Sequence, residues 1–178
     1  MTGKIILLNG ASSAGKSTLA TALQAALPEP FLRFSFDLFL APPILPLERV
    51  RNGEWSWREM RAYVFEGFHR CLPALAGTGN NLVVDHIIEP PAGKDPLLEA
   101  LHGLDVFFVG VHCPLHELER REVARGDRRI GEARGDLETV HSFGSYDFEV
   151  NSTAPLAEQV AEIIEAWPKR QAKSAFFG

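Results

Sequence analysis

A short segment near the amino terminus, residues 5–18, constrains the fold of this chain more than any other. Its first residues, Ile-Ile-Leu-Leu at 5–8, form the apolar run of a buried strand, and a helical pattern begins a few residues later. Between the two, residues 10–17 read Gly-Ala-Ser-Ser-Ala-Gly-Lys-Ser and satisfy the pattern G-x-x-x-x-G-K-[ST]. A strand, a small-residue turn and a helix in this order predict a phosphate-binding loop.

The residue types in this loop match what phosphate binding requires. Small residues allow backbone N–H groups to turn inward towards phosphate oxygens, and the following helix adds the positive end of its dipole. We expect Lys16 to reach the β- and γ-phosphates and the Ser17 hydroxyl to bind Mg²⁺. A chance match is expected in well under about 1% of chains this long, which disfavours a turn that merely joins strand to helix. The residues expected to contact the nucleotide are Gly10, Ala11, Ser12, Ser13, Ala14, Gly15, Lys16, Ser17 and Thr18.

Composition narrows the class of protein further. The 178 residues suit one domain, and the net charge of −5 provides no general basic field for nucleic acid or an anionic membrane. No apolar run approaches the roughly 18 residues of a membrane span, and no cleavable signal pattern precedes the first strand. Cys71 and Cys113 fit neither a disulfide framework nor a zinc site. We therefore expect a cytoplasmic protein without nucleic-acid or membrane partners.

The rest of the chain alternates strand patterns with helical ones. Five such repeats with right-handed crossovers predict an α/β fold, in which a five-stranded parallel sheet carries helices on both faces. We expect one domain over residues 1–168 and a flexible tail at residues 169–178. The predicted strands are residues 5–8, 31–36, 81–85, 105–112 and 148–151.

Acidic residues follow the second and third predicted strands. Ligands of parallel sheets bind beyond the carboxyl ends of the strands, which favours a functional Asp37, although an N-cap for the next segment is an equally open alternative. Asp85 has the position of the second carboxylate of phosphate-loop enzymes, which holds the Mg²⁺ hydration shell or the substrate. His86 beside it could be a base, but a histidine at a strand end is more often structural.

The segment between these two acids has mixed character. Residues 38–55 are proline-rich and predicted to be irregular, and packing under a loop explains their apolar side chains better than a substrate-facing wall. Ser56 and Glu59 then form a capping-box pattern that begins a helix extending to about residue 77. Most of its apolar stripe is expected in the core, whereas Arg61 and His69 lie outside the stripe and are expected to be solvated.

Six arginines cluster in the last third of this acidic chain, where small kinases place a lid. Guanidinium groups suit phosphate oxygens and the charge that spreads over a transferring phosphoryl group, so we expect a lid at about residues 120–142. The alternative is a solvated helix face on which they pair with Glu117, Glu119, Glu122 and Asp127. The arginines are Arg120, Arg121, Arg125, Arg128, Arg129 and Arg134.

Motifs at both ends of the chain point to one family. They are Ile-Leu-Leu-Asn-Gly at 6–10, Ser-Ser-Ala-Gly-Lys-Ser at 12–17, Leu-Pro-Glu-Pro at 27–30, Asp37, Arg-Glu at 121–122, Ala-Arg-Gly-Asp-Arg at 124–128, Gly131, Val-His at 140–141, Tyr-Asp at 146–147 and Glu-Val at 149–150. With them the chain resembles the chloramphenicol phosphotransferases, small kinases built like nucleotide monophosphate kinases. The resemblance covers roughly residues 1–37 and 104–153.

The resemblance implies the three-layer fold of P-loop kinases with an arginine-rich lid, and it implies roles for individual residues. Asp37 matches the family's general base, which takes the proton from the primary hydroxyl of the antibiotic. Arg125 and Arg128 match lid arginines that assist transfer of the γ-phosphoryl group, and Asp85 matches the acid after the third strand. The chain departs from the family at residues 38–80, next to the acceptor, and at His86, which replaces a second acid.

The predicted function is ATP-dependent phosphorylation of a hydroxyl on chloramphenicol or a related small molecule, with Mg²⁺ and a role in antibiotic resistance. Two alternatives remain: a kinase of a nucleoside, sugar or other metabolite, and a non-catalytic nucleotide-binding switch. The oligomeric state is left open, a homo-oligomer included. The expected catalytic residues are Lys16, Asp37, Arg125 and Arg128, the metal ligands Ser17 and Asp85, and the acceptor-binding residues Asp37, Asp85 and His86.

Overall fold

The alternation of strands and helices produces one parallel sheet of five strands in the computed structural model, which describes residues 1–41, 44–88, 94–126, 130–142 and 144–178. The strands are β1 (Lys4–Asn9), β2 (Phe31–Ser35), β3 (Asn81–His86), β4 (Asp105–His112) and β5 (Phe148–Asn151). Their order is β2-β3-β1-β4-β5, and every neighbouring pair is parallel. The predicted α/β fold with a five-stranded parallel sheet is confirmed.

Helices cover both faces of this sheet. Two one-turn helices lie within or next to residues 38–55, a segment that the sequence predicts to be irregular, because short helical turns between prolines leave little periodicity to detect. In the described ranges no helix combines the length and the apolar character needed to cross a membrane. The helices are α1 (Lys16–Ala26), α2 (Phe36–Leu40), α3 (Leu47–Arg51), α4 (Trp57–Gly77), α5 (Lys94–Leu101), α6 (Leu115–Arg125), α7 (Glu132–Thr139) and α8 (Leu156–Ala166).

Strand β1 separates two halves of the core. Ile6 and Leu8 pack in the layer that contains α1 and α8, whereas Ile5 and Leu7 pack in the layer that contains α4 and α5. All four side chains are fully buried. A strand buried on both faces needs a continuous apolar run rather than an alternating one, which is the pattern at residues 5–8.

The carboxyl-terminal segment, predicted to be flexible, folds back onto β4. The Asp147 carboxylate accepts hydrogen bonds from the backbone N–H groups of Phe108, at 2.7 Å, and Ala175, at 2.6 Å. The Phe176 ring is fully buried and meets the Phe108 ring edge-on, with centroids 5.0 Å apart. Phenylalanine brings enough apolar area to order a segment whose other residues are mostly polar or basic.

A glycine in β4 allows an aromatic ring to lie directly on the strand. A Cβ atom at Gly110 would lie 2.7 Å from Cδ2 of Tyr146, far inside van der Waals contact. The Tyr146 ring also packs against Phe108, with centroids 4.5 Å apart, and its hydroxyl accepts a hydrogen bond of 3.0 Å from Asn9 Nδ2. Because Gly110 has no side chain, the Tyr146 ring can pack directly on β4.

We predict that Gly110→Ala lowers the free energy of unfolding by about 1–3 kcal/mol, because the added methyl group overpacks the site and displaces the Tyr146 ring. Urea denaturation measures the change. Gly77→Ala is the matched control, since a Cβ atom there meets nothing within 4 Å and the residue is helical. That variant is expected to keep or slightly gain stability. Equal stabilities of the two variants would contradict the packing role of Gly110.

Candidate active site

The predicted phosphate-binding loop joins β1 to α1 and is held close to the sheet. A Cβ atom at Gly10 would lie 2.5 Å from the carbonyl oxygen of Val111, so only glycine allows this approach. Ser13 and Gly15 have positive φ angles of 63° and 95°, which turn the loop back on itself. The Lys16 ammonium group donates a hydrogen bond of 2.8 Å to the carbonyl oxygen of Ala11 and is almost fully buried.

Two side chains with oxygen atoms lie together at the start of α1. The Ser17 hydroxyl donates to the Asp85 carboxylate over 2.5 Å, because β1 and β3 are neighbours and both end at this edge of the sheet. A hydroxyl beside a carboxylate fits Mg²⁺, which takes few protein ligands and completes its shell with phosphate oxygens and water. Within the described residues no larger cluster of His, Cys, Asp or Glu could hold a metal ion.

The loop forms the floor of a cleft with a volume of about 930 Å³. Its lining side chains come from α2 and α4, from α6 and α7, and from the segment after β5 with the first turn of α8. Six of the nine residues predicted to bind nucleotide line this cleft, and so do Asp37, Asp85, His86 and Arg125. The walls contain Phe36, Asp37, Leu40, Trp57, Arg61 and Phe65, then Arg120, Arg121, Ala124, Arg125, Glu132 and Asp136, and then Ser152, Ala154, Leu156 and Gln159.

Asp37 lies in the first turn of α2 and lines the cleft. The helix is capped by Ser35, whose hydroxyl accepts a hydrogen bond of 3.3 Å from the backbone N–H of Asp37. The N-cap role that the sequence left open therefore belongs to Ser35. The Asp37 side chain is not needed for this cap.

Two residues of α4 differ from their expected solvated positions. Arg61 lines the cleft, and its guanidinium group lies 4.6 Å from the centre of the Phe65 ring. His69 is buried, with 3% of its surface exposed. Trp57, Arg61, Phe65 and His69 are each four residues apart, so they share one helix face. That spacing was the available signal, but a face containing Arg and His does not stand out as buried.

His69 and His86 form a buried pair where α4 meets the end of β3. Their Nε2 atoms are 3.1 Å apart, so one neutral ring donates to the other, and both Nδ1 atoms have no hydrogen-bond partner within the described structure. Burial lowers the pKa of His69 to about 4. Burial, and secondarily the charges of His69 and Lys16, lowers the pKa of His86 well below its usual value of 6.5. Both rings are thus uncharged near neutral pH, which favours the structural alternative for His86.

The arginine cluster fits both of its predicted roles in part. The Glu117 carboxylate forms ion pairs with the Nε atoms of Arg120 and Arg121, each over 2.7 Å. Their hydrogen bonds lower the pKa of Glu117 to about 2. Arg134 pairs with Glu119 at 2.6 Å. Arg120 and Arg121 also line the cleft, as does Arg125. The positions of Asp127, Arg128 and Arg129 lie outside the described residues.

Arg121 connects three parts of the cleft, although no role was predicted for it individually. Its guanidinium group donates to the carbonyl oxygen of Ala14 in the loop over 3.3 Å and to that of Ser152 after β5 over 2.9 Å. Its Nε atom donates to Glu117 over 2.7 Å. Arg121 therefore fixes α6 and the segment after β5 relative to the phosphate-binding loop. Its place in the arginine cluster and next to Glu122 in the family motif were the available signals.

Helix α7 is attached to the body of the protein at both ends and in the middle. Glu122, which the alternative to a lid placed on a solvated face, is buried and accepts hydrogen bonds from the backbone N–H groups of Gly131 and Ala133 over 2.7 and 2.8 Å. These hydrogen bonds lower the pKa of Glu122. In the middle of α7, the Asp136 carboxylate accepts a hydrogen bond of 2.9 Å from the backbone N–H of Ser12. The sequence did not indicate this contact with the phosphate-binding loop.

A family model described as chloramphenicol phosphotransferase-like protein matches residues 3–168. The chain belongs to the chloramphenicol phosphotransferase-like family. This confirms the resemblance predicted from the motifs. A Mycobacterium tuberculosis protein, named as an inferred O-phosphotransferase, is 36% identical over 185 residues, which cover 93% of this chain and 82% of that protein.

Solved structures of P-loop kinases share the fold of this family member. The APS kinase of Mycobacterium tuberculosis, in complex with AMPPNP and APS, is 20% identical with a TM-score of 0.70, covering 94% of this chain and 98% of that one. A gluconokinase from Sinorhizobium meliloti is 20% identical with a TM-score of 0.67, covering 94% and 93%. The family and the fold make this phosphate-loop protein a phosphotransferase.

We predict that the free energy of unfolding of this phosphotransferase falls as the pH drops from about 6.5 towards 4. His69 and His86 stay neutral in the folded protein, whereas histidines of the unfolded chain bind protons below about pH 6.5, so acid favours the unfolded state. Urea denaturation at pH 7 and pH 5 measures the loss. The double variant with His69→Leu and His86→Leu is expected to lose less between these pH values than the parent protein.

The control for this prediction is His116→Gln, because His116 is exposed on α6. It is expected to retain the pH dependence of the parent protein. If the double variant and the parent lose equal stability between pH 7 and pH 5, other titrating groups account for the effect and the buried pair does not.

Proposed function

We propose that this phosphotransferase transfers the γ-phosphoryl group of ATP to a hydroxyl of a small molecule, with chloramphenicol or a related hydroxylated compound as acceptor. The observation that carries the proposal is that Asp37, Lys16 and the Ser17–Asp85 pair border one cleft. The proposal takes residues 1–168 as one kinase domain with a lid at about 120–142. A cytoplasmic location belongs to it, because ATP is supplied there.

The loop side of the cleft supplies what a triphosphate needs. Backbone N–H groups of the loop and the amino end of α1 attract phosphate oxygens, and Lys16 adds a positive charge whose desolvation is already complete in the folded protein. Ser17 and Asp85 are the residues that would hold Mg²⁺. When bound there, the ion neutralises part of the charge on the β- and γ-phosphates.

Asp37 is the residue proposed to act on the acceptor. Its carboxylate orients the acceptor hydroxyl and takes its proton while the bond between that oxygen and the γ-phosphorus forms. The bond from the γ-phosphorus to the bridging oxygen breaks, and ADP leaves with its electron pair. Arg125 lines the cleft on the opposite wall and stabilises the charge on the transferring group.

The part of the cleft lined by α2 and α4, where the acceptor would bind, supports a second candidate, a kinase of a nucleoside, sugar or other metabolite. Residues 38–80 depart from the family pattern, and the wall they form combines aromatic rings with the guanidinium group of Arg61. A polar acceptor that interacts with a guanidinium group would suit such a wall. Chemistry at the phosphate is the same for either acceptor.

We predict that purified protein releases ADP from MgATP at a rate that depends on the acceptor, and that Asp37→Asn lowers this rate by about 10²–10⁴ through loss of the general base. Binding of ATP is expected to remain close to that of the parent. The measurement is ADP release with no acceptor, with chloramphenicol, and with a panel of hydroxylated metabolites. Asp95→Asn, an exposed site on α5, is the control for loss of one carboxylate.

The outcomes separate the proposals. Stimulation by chloramphenicol supports the antibiotic kinase, and stimulation only by a nucleoside or sugar supports the metabolite kinase. Binding of ATP without stimulation by any acceptor would favour a nucleotide-binding switch. Near-normal turnover of Asp37→Asn would exclude Asp37 as the base.

We predict that Arg125→Ala lowers kcat by about 10²–10³ at saturating ATP and acceptor, because a positive charge that stabilises the transferring phosphoryl group is lost. Arg70→Ala is the control, since Arg70 pairs with Glu66 on α4 and lies outside the cleft lining. An increase in KM with kcat unchanged would instead place Arg125 in binding that is equally strong in the ground state and the transition state.

A further inference from the structure

We propose that Asp136 competes with a phosphate group of the nucleotide for the phosphate-binding loop. The Asp136 carboxylate ties α7 to the loop, and a bound triphosphate displaces it. This inference rests on the proposed function, because it concerns how the same nucleotide site is regulated. It assigns a role to a residue outside the predicted site.

The contact itself is a carboxylate in an anion site. Oδ2 of Asp136 lies 2.9 Å from the backbone nitrogen of Ser12, and both residues line the cleft. Ser12 belongs to the loop whose backbone N–H groups are the phosphate ligands of this motif. A carboxylate resembles a phosphate oxygen in that it carries negative charge and only accepts hydrogen bonds. Asp136 therefore stands where the loop attracts an anion.

The attachments of α7 show why this contact differs from the others. Glu122 holds the first turn through the N–H groups of Gly131 and Ala133, and Asn9 holds the end by donating a hydrogen bond of 2.8 Å to the carbonyl oxygen of Val140. Neither of these attachments uses a group of the phosphate-binding loop. The hydrogen bond of Asp136 does, so a ligand of the loop acts on α7 at this point.

Because both carry negative charge, the Asp136 carboxylate and a triphosphate exclude each other from the phosphate-binding loop. A triphosphate brings several negative charges into a cleft where water screens them less than in bulk solvent, and Asp136 adds another beside them. Loss of the Asp136 contact therefore accompanies nucleotide binding and lowers the apparent affinity. The same step removes the hydrogen bond between the middle of α7 and the loop. Nucleotide binding thus becomes coupled to the position of α7.

The test compares Asp136→Asn with Glu138→Gln. The asparagine removes the charge and keeps the shape, and Glu138 is an exposed acid on the same helix outside the cleft lining. Binding of AMPPNP with Mg²⁺ is measured by calorimetry without acceptor. We expect Asp136→Asn to bind about 5-fold or more tightly than the parent, the usual lower range of coupling between sites, and Glu138→Gln to differ by less than about 2-fold. Unchanged or weaker binding by Asp136→Asn, or an equal gain in Glu138→Gln, would overturn the inference.

Hydrogen exchange tests the tie in the nucleotide-free protein. Asp136→Ala is expected to accelerate exchange of the α7 amides, while amides of β1 and α8 in the same sample keep parent rates and report an intact fold. Unchanged exchange in α7 would also overturn the inference. If the parent binds AMPPNP and only the Asp136 variants behave otherwise than expected, this inference alone fails. If the parent itself binds no AMPPNP, the proposed function fails as well.

Discussion

The position of β1 between β3 and β4 is the constraint on which the rest of the cleft depends. Because all three strands are parallel, the phosphate-binding loop, Asp85 and the segment after β4 emerge at one edge of the sheet. The hydrogen bond from Ser17 to Asp85 joins residues 68 positions apart in the chain only through this alignment. The same alignment brings the backbone of Gly10 close to the carbonyl oxygen of Val111, so the loop lies directly against the sheet.

The sequence was sufficient to predict features that a local pattern encodes. It was weaker for the orientation of side chains on a helix. The phosphate-binding loop, the parallel sheet and the acids after β2 and β3 are local patterns, and local patterns survive without knowledge of the fold. Arg61 and His69 were placed in solvent because the rotation of α4 against the sheet is decided by tertiary packing. Asp136 was missed for a related reason, since nothing local distinguishes an acid that reaches a loop 124 residues away.

The cleft contains both guanidinium groups and carboxylates, and some of these form ion pairs, so the cleft is not uniformly positive. Glu117 holds two arginines, and one of them, Arg121, reaches both the loop and Ser152, so the acid fixes a cation that lines the cleft. Carboxylates at Asp37, Asp85 and Asp136 border the same space. Uncharged imidazoles at the acceptor end add no further positive charge near neutral pH. The protein is acidic overall, yet Arg61, Arg120, Arg121 and Arg125 all line this one cleft.

The folded-back tail has a consequence for how the protein is made. Phe108 is synthesised long before Phe176, the ring that covers it, and before Asp147, whose carboxylate joins β4 to the tail. On the ribosome the Phe108 ring lacks the cover of Phe176 until that residue has left the exit tunnel. A nascent chain stalled shortly after β5 would therefore expose the Phe108 ring to chaperones, even though all five strands of the sheet have been synthesised.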